Sequence, residues 1–295
     1  MATRLILFHL ASGQAFFSGS ACLVLAAGLA AWAARRWART TRNLLVGVGG
    51  VLVGASATPL PVAADAGLAA VTLAWLVGEA RRDRWRWWRV RRLRGLMAAS
   101  WVIAALAEAP YHLIPHVPPL GSPVLGVIGD SVTAGVDDRA EVTWPRLLGD
   151  RHGLIVRDHA AAGATAASAA SQAAALKPDQ RLVIVEIGGN DLLGGTTPVA
   201  FEAGLERLLA ATCRPGRVVV LLELPLLPTY AEFGRAQRRL ARRFGALLVP
   251  KRVLLGVLLA DGATLDTIHP SALGHEQLAE AIWAVIRPAY VHDDR

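Results

Sequence analysis

Apolar residues run almost unbroken through the first third of the chain, then break into short runs separated by helical stretches. The long runs approach the roughly 20 residues that a helix needs to cross a bilayer. They predict four spans, at Phe16 to Ala34, Leu44 to Ser56, Val62 to Glu79 and Leu96 to Leu113. The second is short and runs into Pro59 and Pro61, so the second and third predict a tight hairpin turning at TPLPVAAD. A signal peptide is the rival reading of the first run, but the run is too long and a basic flank follows it directly. The segment from Pro115 to Pro123, PHVPPLGSP, cannot continue a helix and predicts a short semi-rigid linker. The predicted organisation is a helical membrane region over residues 1–114, a linker over 115–123 and a second domain over 124–295.

From Val124 onward the pattern becomes that of repeated βα units around a parallel sheet. Strands are predicted at Val124 to Ile128, Leu154 to Arg157, Leu182 to Ile187, Val218 to Leu222 and Ala246 to Val249. Helices are predicted near Val142 to Asp150, Val199 to Ala211, Tyr230 to Phe244 and Ser271 to Ile286. The expected product is an α/β fold, a three-layer α/β/α sandwich large enough for a core of its own.

Charge sharpens this division. Thirteen of the 31 Lys and Arg precede residue 116, against only four acids (Asp65, Glu79, Asp83, Glu108), so the net charge of +8 belongs to the helical part. A nearly neutral second domain offers no broad basic face, which argues against a nucleic-acid partner. The arginines cluster in Arg35 to Arg42 and in Arg81 to Arg94, read as two short cytoplasmic loops. With four spans, that orientation puts the N-terminus and the second domain on the extracytoplasmic side of the membrane. Trp85, Trp87 and Trp88 lie inside the larger basic loop, where headgroup contact or a plain topology signal are the two readings. Gly50 and Gly54 form a small-xxx-small spacing that reads as helix packing, and Glu108 reads as an interfacial residue.

Chemistry gathers at predicted strand ends, where an open α/β sheet holds its working residues. Ser131 follows the first strand of the second domain in IGDSVTAG, where a turn into helix exposes its hydroxyl and aims backbone N–H groups at developing negative charge. A GGND block at Gly188 to Asp191 follows the third strand and offers the Asn190 amide as a donor. In DTIHPSALGHEQLAE, Asp266 and His269 stand three residues apart, a spacing that lets the carboxylate hold one ring nitrogen while the other faces a nucleophile. The nucleophile elbow G-x-S-x-G fails at Thr133, and a dinucleotide fingerprint begun by Gly47 and Gly49 fails at Leu52. Cys22 and Cys213 have no companion ligands, so neither a metal nor an organic cofactor is expected. His275 and the arginines of Arg235 to Arg243 read as solvated faces, and His159 as a candidate border of the pocket.

These blocks together resemble the SGNH hydrolase family, also called GDSL esterases and lipases, over residues from about 124 to 288. The resemblance implies a flavodoxin-like parallel sheet and a serine ester hydrolase. It makes Ser131 the nucleophile, His269 the general base and Asp266 its orienting partner. It also makes the backbone N–H groups of Ser131 and Gly163, with the Asn190 side chain, the oxyanion hole. Gly163, in HAAAGATAASA, is the isolated glycine of the family's second block. The implied partner is a small acyl ester substrate, with the membrane reached through the N-terminal helices and no protein partner indicated. Lipid esters and O-acetylated envelope glycans suit an extracytoplasmic site, and Leu192, Leu193, Leu226 and Leu227 are candidates for an acyl-accepting wall. Two alternatives stay open, an acyltransferase using the same triad and a membrane-anchored binding module that has lost turnover.

Overall fold

The computed structural model describes residues 2–32, 35–81, 84–136, 142–266 and 268–290. Ala33 and Ala34 of the first predicted span, Arg82 and Asp83 of the second basic loop, and Thr267 between Asp266 and His269 lie outside the described residues. The chain divides into two compact units, Met1–His112 with Leu226–Ala231, and Leu113–Pro225 with Glu232–Arg295.

The first unit contains helices α1 (Ala2–Ala11), α2 (Gln14–Leu29), α3 (Arg36–Ala55), α4 (Val62–Ala80) and α5 (Trp87–Glu108). Two segments, Gln14–Trp32 and Val62–Ala80, are long and apolar enough to cross a membrane by length and composition. The other two predicted spans fall on the apolar parts of α3 and α5, whose first turns are rich in arginine. Helix α3 begins at Arg36 and α5 at Trp87, inside segments that charge alone marks as loops. Arginine is a good helix former, so a basic run marks a change of surroundings rather than the end of a helix. The buried Glu79 of α4 then ties the two basic segments together, accepting from Arg42 of α3 at 3.4 Å and from Arg94 of α5. Large apolar side chains such as Leu44, Val51, Val62, Leu73, Ile103 and Leu106 are left exposed along α3, α4 and α5.

Two sequence readings are corrected in this unit. Gly50 and Gly54 pack against nothing, since a Cβ at either would meet no atom within 4 Å. Close packing instead involves Gly19 of α2 and Gly49 of α3, where an added Cβ would come within 2.8 and 2.9 Å of the other glycine's carbonyl oxygen. Glu108, expected at an interface, is buried, with Oε1 3.4 Å from Nε2 of His112.

The second unit is a five-stranded parallel sheet of order β2-β1-β3-β4-β5. Its strands are β1 (Val124–Gly129), β2 (Ile155–Asp158), β3 (Leu182–Glu186), β4 (Val218–Leu222) and β5 (Leu247–Val249), all close to the predicted positions. Its helices are α6 (Ser131–Ala134), α7 (Trp144–His152), α8 (Ala170–Ala174), α9 (Gly189–Leu193), α10 (Pro198–Thr212), α11 (Ala231–Phe244), α12 (Arg252–Leu258) and α13 (Ala272–Ile286). Side chains alternate across a strand. Leu125, Val127, Leu182, Ile184, Val220 and Leu222 therefore point to one face, where Trp144 and Leu148 of α7, Leu254 of α12 and Leu278 and Ile282 of α13 complete a core. The alternate set, among them Val183, Val185 and Leu221, is buried on the other face. Burial on both faces explains why the central strands read as continuous apolar runs.

The predicted linker is fastened to this unit. Val117 is buried, the Leu120 N–H donates to the Ala289 carbonyl, and Arg181 donates to the Leu120 carbonyl at 3.0 Å. His275 is also corrected: it is fully buried in α13 and accepts the Trp144 N–H on Nδ1 at 3.3 Å. On α11 the predicted solvated face is partly an ion-pair face. Arg238 is buried and donates to Glu223 at 2.7 Å, while Arg239 and Arg243 reach Glu202 and Glu206 of α10.

Candidate active site

In this strand order the chain steps from β1 outward to β2, then returns to place β3 on β1's other side. The crevice beyond the carboxyl ends of β1 and β3 is therefore a topological switch point, the usual ligand position in such sheets. The register puts Gly129 beside Glu186, so the residues leaving both strands emerge side by side. They are Asp130 and Ser131 from β1, and Gly188 to Asp191 from β3.

Ser131 opens α6 and is 8% exposed. Asp130 caps that helix, Oδ1 accepting the Val132 N–H at 3.0 Å. The turn is tight enough that a Cβ at Gly129 would fall 2.4 Å from Oγ1 of Thr133, so only glycine fits there. Gln172 anchors the turn from below: it accepts the Gly129 N–H and donates to the Gly129 carbonyl, each at 3.0 Å.

His269 reaches the same point from the loop before α13. Its Nε2 lies 3.1 Å from Ser131 Oγ, and its Nδ1 lies 2.7 Å from Asp266 Oδ2. A carboxylate only accepts, so the proton sits on Nδ1 and Nε2 is left to accept from the serine hydroxyl. Asp266 Oδ1 also accepts the N–H groups of Ile268 and His269, at 2.7 and 2.8 Å. The hydrogen bond from His269, followed by those two backbone donors, holds the Asp266 carboxyl well below the usual carboxylate range. Both ends of the loop are closed by backbone bonds, Leu265 N–H to the His269 carbonyl and Ser271 N–H to the Ala263 carbonyl. Gly274 lets α13 start against this loop, since a Cβ there would overlap the Ala263 carbonyl oxygen at 1.9 Å.

Ser131 opens α6, and the other two residues predicted for the oxyanion hole lie in two neighbouring turns. Gly163 has φ +77, a left-handed conformation that glycine adopts without strain. Asn190, in the first turn of α9, donates from Nδ2 to the Ala164 carbonyl at 3.1 Å, which ties its amide to the Gly163 turn. Asp191 reinforces the link by accepting the Ala166 N–H at 2.8 Å, and burial raises its carboxyl above the ordinary range. Leu193 and Leu227 are exposed and Leu226 is buried. His159 pairs with Gln180, Nε2 to Nε2 at 3.0 Å. Cys22 and Cys213 are free thiols, and among the described residues no group of three or more His, Cys, Asp or Glu is placed to hold a metal ion.

Residues 127–277 match the model of the GDSL-like lipase/acylhydrolase family, which is just over half of the chain. The chain belongs to that family. It is a carboxylic ester hydrolase. Among curated proteins, the hydrolase is 27% identical over 176 residues to the esterase TesA of Pseudomonas aeruginosa, a match covering 55% of this chain and 87% of that protein. It is 28% identical over 176 residues to thioesterase 1/protease 1/lysophospholipase L1 of Escherichia coli K12, covering 57% of this chain and 85% of the other. A crystal structure of TesA superposes with a TM-score of 0.50 at 30% identity, over 56% of this chain and 99% of that one. The residues matched by the family model are those that carry the sheet and its loops.

Sequence reasoning passed over one acidic residue at this site. Glu186, at the end of β3, is 2% exposed beside Asp130, and its Oε2 accepts from Thr133 Oγ1 at 2.9 Å. The signal was present as an acid closing the apolar run LVIVE.

Proposed function

We propose that this hydrolase uses Ser131, His269 and Asp266 as a catalytic triad to cleave acyl esters of lipids or envelope glycans, anchored by its N-terminal helices. The observation that carries the reading is the unbroken chain of contacts from Ser131 Oγ through both His269 nitrogens to Asp266. Ser131 Oγ attacks the ester carbonyl while its proton passes to His269 Nε2. The carbonyl oxygen becomes an oxyanion, received by the Ser131 and Gly163 N–H groups and the Asn190 amide. The intermediate collapses to an acyl-serine, and the leaving alkoxide takes the proton from His269. Water, deprotonated by the same imidazole, then releases the acid and restores Ser131. Asp266, ionised throughout the neutral range, fixes the ring tautomer and offsets the positive charge that His269 carries between the two half-reactions.

The names of the relatives, an esterase and a thioesterase/lysophospholipase, support acyl esters as the substrate class. The test is release of p-nitrophenol from the acetate, butyrate and decanoate esters by the full-length chain in detergent micelles. An acyl-enzyme gives a burst followed by steady turnover, and the chain-length profile separates a deacetylase from a lipid esterase. Alanine at Asn190 lowers kcat by roughly a hundredfold to a thousandfold with little change in KM, as expected for an oxyanion donor. An Asn190→Ala protein with unchanged kcat removes that residue from the hole.

The anchoring reading has four spans, formed by α2, the apolar part of α3, α4 and α5, with the hydrolase extracytoplasmic. Two of them are apolar enough to cross by composition, and the exposed leucine, isoleucine and valine side chains of α3, α4 and α5 suit a lipid-facing surface. The full-length chain is expected to stay with the membrane pellet through alkaline carbonate washing. Release into the supernatant overturns the anchor.

A further inference from the structure

Beneath the Ser131 turn lie two carboxyl groups that the triad does not use. Asp130 follows β1 and Glu186 ends β3. They are 1% and 2% exposed, and each touches the other's environment closely enough to perturb it. Among the described residues no lysine or arginine pairs with either. The titratable groups that bear on the pair are its own two members and His269; the donors are the N–H groups of Val132, Gly189 and Asp130 and the Thr133 hydroxyl. Two bare carboxylates so placed would repel each other.

The hydrogen bonds decide where a shared proton sits. Glu186 Oε2 accepts from Thr133 Oγ1, and Asp130 Oδ1 accepts from the Val132 N–H. Asp130 Oδ2 is buried and lacks a well-formed hydrogen bond, although it faces Glu186 and the start of α9. That oxygen is the acceptor that a carboxylic acid on Glu186 satisfies. Burial, and then the Asp130 charge, push the Glu186 carboxyl well above its ordinary range. Asp130 is raised less, by burial, with backbone donors and the His269 charge drawing it back.

We propose that Glu186 remains a carboxylic acid and donates its proton to Asp130, so that the pair carries one negative charge, held at the foot of the Ser131 turn and acting on the His269 imidazole. Asp130 and Glu186 are positioning residues. Asp130 holds the first turn of α6, and its charge favours the imidazolium formed while Ser131 attacks. Glu186 keeps that carboxylate satisfied without adding a second charge. The proposal rests on the Ser131–His269 reading, and its test has an arm that does not depend on catalysis.

The experiment compares full-length wild type with Glu186→Gln, Glu186→Leu and Asp130→Asn, reading kcat and KM for p-nitrophenyl butyrate across pH, and the melting midpoint of the hydrolase unit across the same range. An amide at 186 still donates to Asp130, so Glu186→Gln keeps kcat within about threefold, whereas leucine, of similar bulk and without a donor, loses about tenfold or more with KM unchanged. Asp130→Asn removes the charge that helps to raise the Glu186 carboxyl, so the fall of the melting midpoint with pH shrinks. The melting arm follows from the sign of the shifts. A carboxyl raised on folding stabilises the native state below its unfolded pKa, and that stability is lost as pH rises through the folded value. The wild-type midpoint therefore falls as pH rises from the ordinary carboxyl range towards the raised folded value, and Glu186→Gln flattens the fall. Equal loss of kcat in the glutamine and leucine variants, a melting midpoint that falls with pH as steeply in Asp130→Asn as in wild type, or a fall unchanged by Glu186→Gln each overturns the proposal. A leucine variant that fails to fold leaves the decision with the other two arms. Loss of the triad reading itself shows separately, as full turnover in Ser131→Ala.

Discussion

Alanine at position 131 lowers kcat on p-nitrophenyl butyrate by about a millionfold, the order of loss found when a serine hydrolase surrenders its nucleophile. In the proposed triad the Oγ is the atom that forms the acyl bond, and neither the turn that presents it nor the donors around it replace that chemistry. The fold survives the change. Asp130 still caps α6, Gln172 still grips Gly129, and the loss to stability is one hydroxyl contact with His269, about 1 kcal/mol or less. The variant is therefore expected to melt within a few degrees of wild type while showing neither burst nor turnover. A Ser131→Ala protein that keeps a burst assigns the acyl-enzyme to another residue.

Alanine at position 269 costs nearly as much, for a different reason. The serine remains, but its proton has no acceptor, because no other imidazole contacts Ser131 Oγ among the described residues. The measurement that isolates this step is the rate at which a fluorophosphonate labels Ser131. Labelling should fall by about 10⁴-fold or more in His269→Ala, since activation by the adjacent base is what separates this hydroxyl from an ordinary serine. The double variant lacking both side chains should be no slower than either single one, because nucleophile and base act as a unit. Losses that multiply in the double variant would show that the two residues act independently, and the triad reading would fail.

The sequence shows its chemistry more clearly than its packing. Ser131 and Asn190 follow strand ends that periodicity located within a residue or two, Asp266 and His269 were marked by their spacing just before the last helix, and glycine-rich turns marked where the backbone bends. The strands were legible because burial on both faces leaves runs such as LVIV with no polar residue to confuse them. Long-range pairing was not legible. Asp130 and Glu186 are neighbours only because β1 and β3 lie side by side, and the buried setting of His275 depends on α7 meeting α13. In the helical region, the spacing of Gly50 and Gly54 suggested a contact that Gly19 and Gly49 make instead, since a spacing within one helix cannot tell which side faces another. Arginines at Arg36 and Arg89 masked helix because charge reports surroundings and propensity reports conformation, and here the two differ.

The loop from Ala263 to Ser271 is a closed clip. Its backbone is fastened at both ends, and Asp266 grips its own histidine by side chain and main chain together. Asp266 and His269 are therefore held to each other by the clip's own bonds, and the contact left to be set from outside it is the 3.1 Å gap to Ser131. Adaptation of this hydrolase to cold or heat has a correspondingly small target. Substitutions at the clip's footing on α13 alter how often that gap closes, and leave the pairing inside the clip untouched.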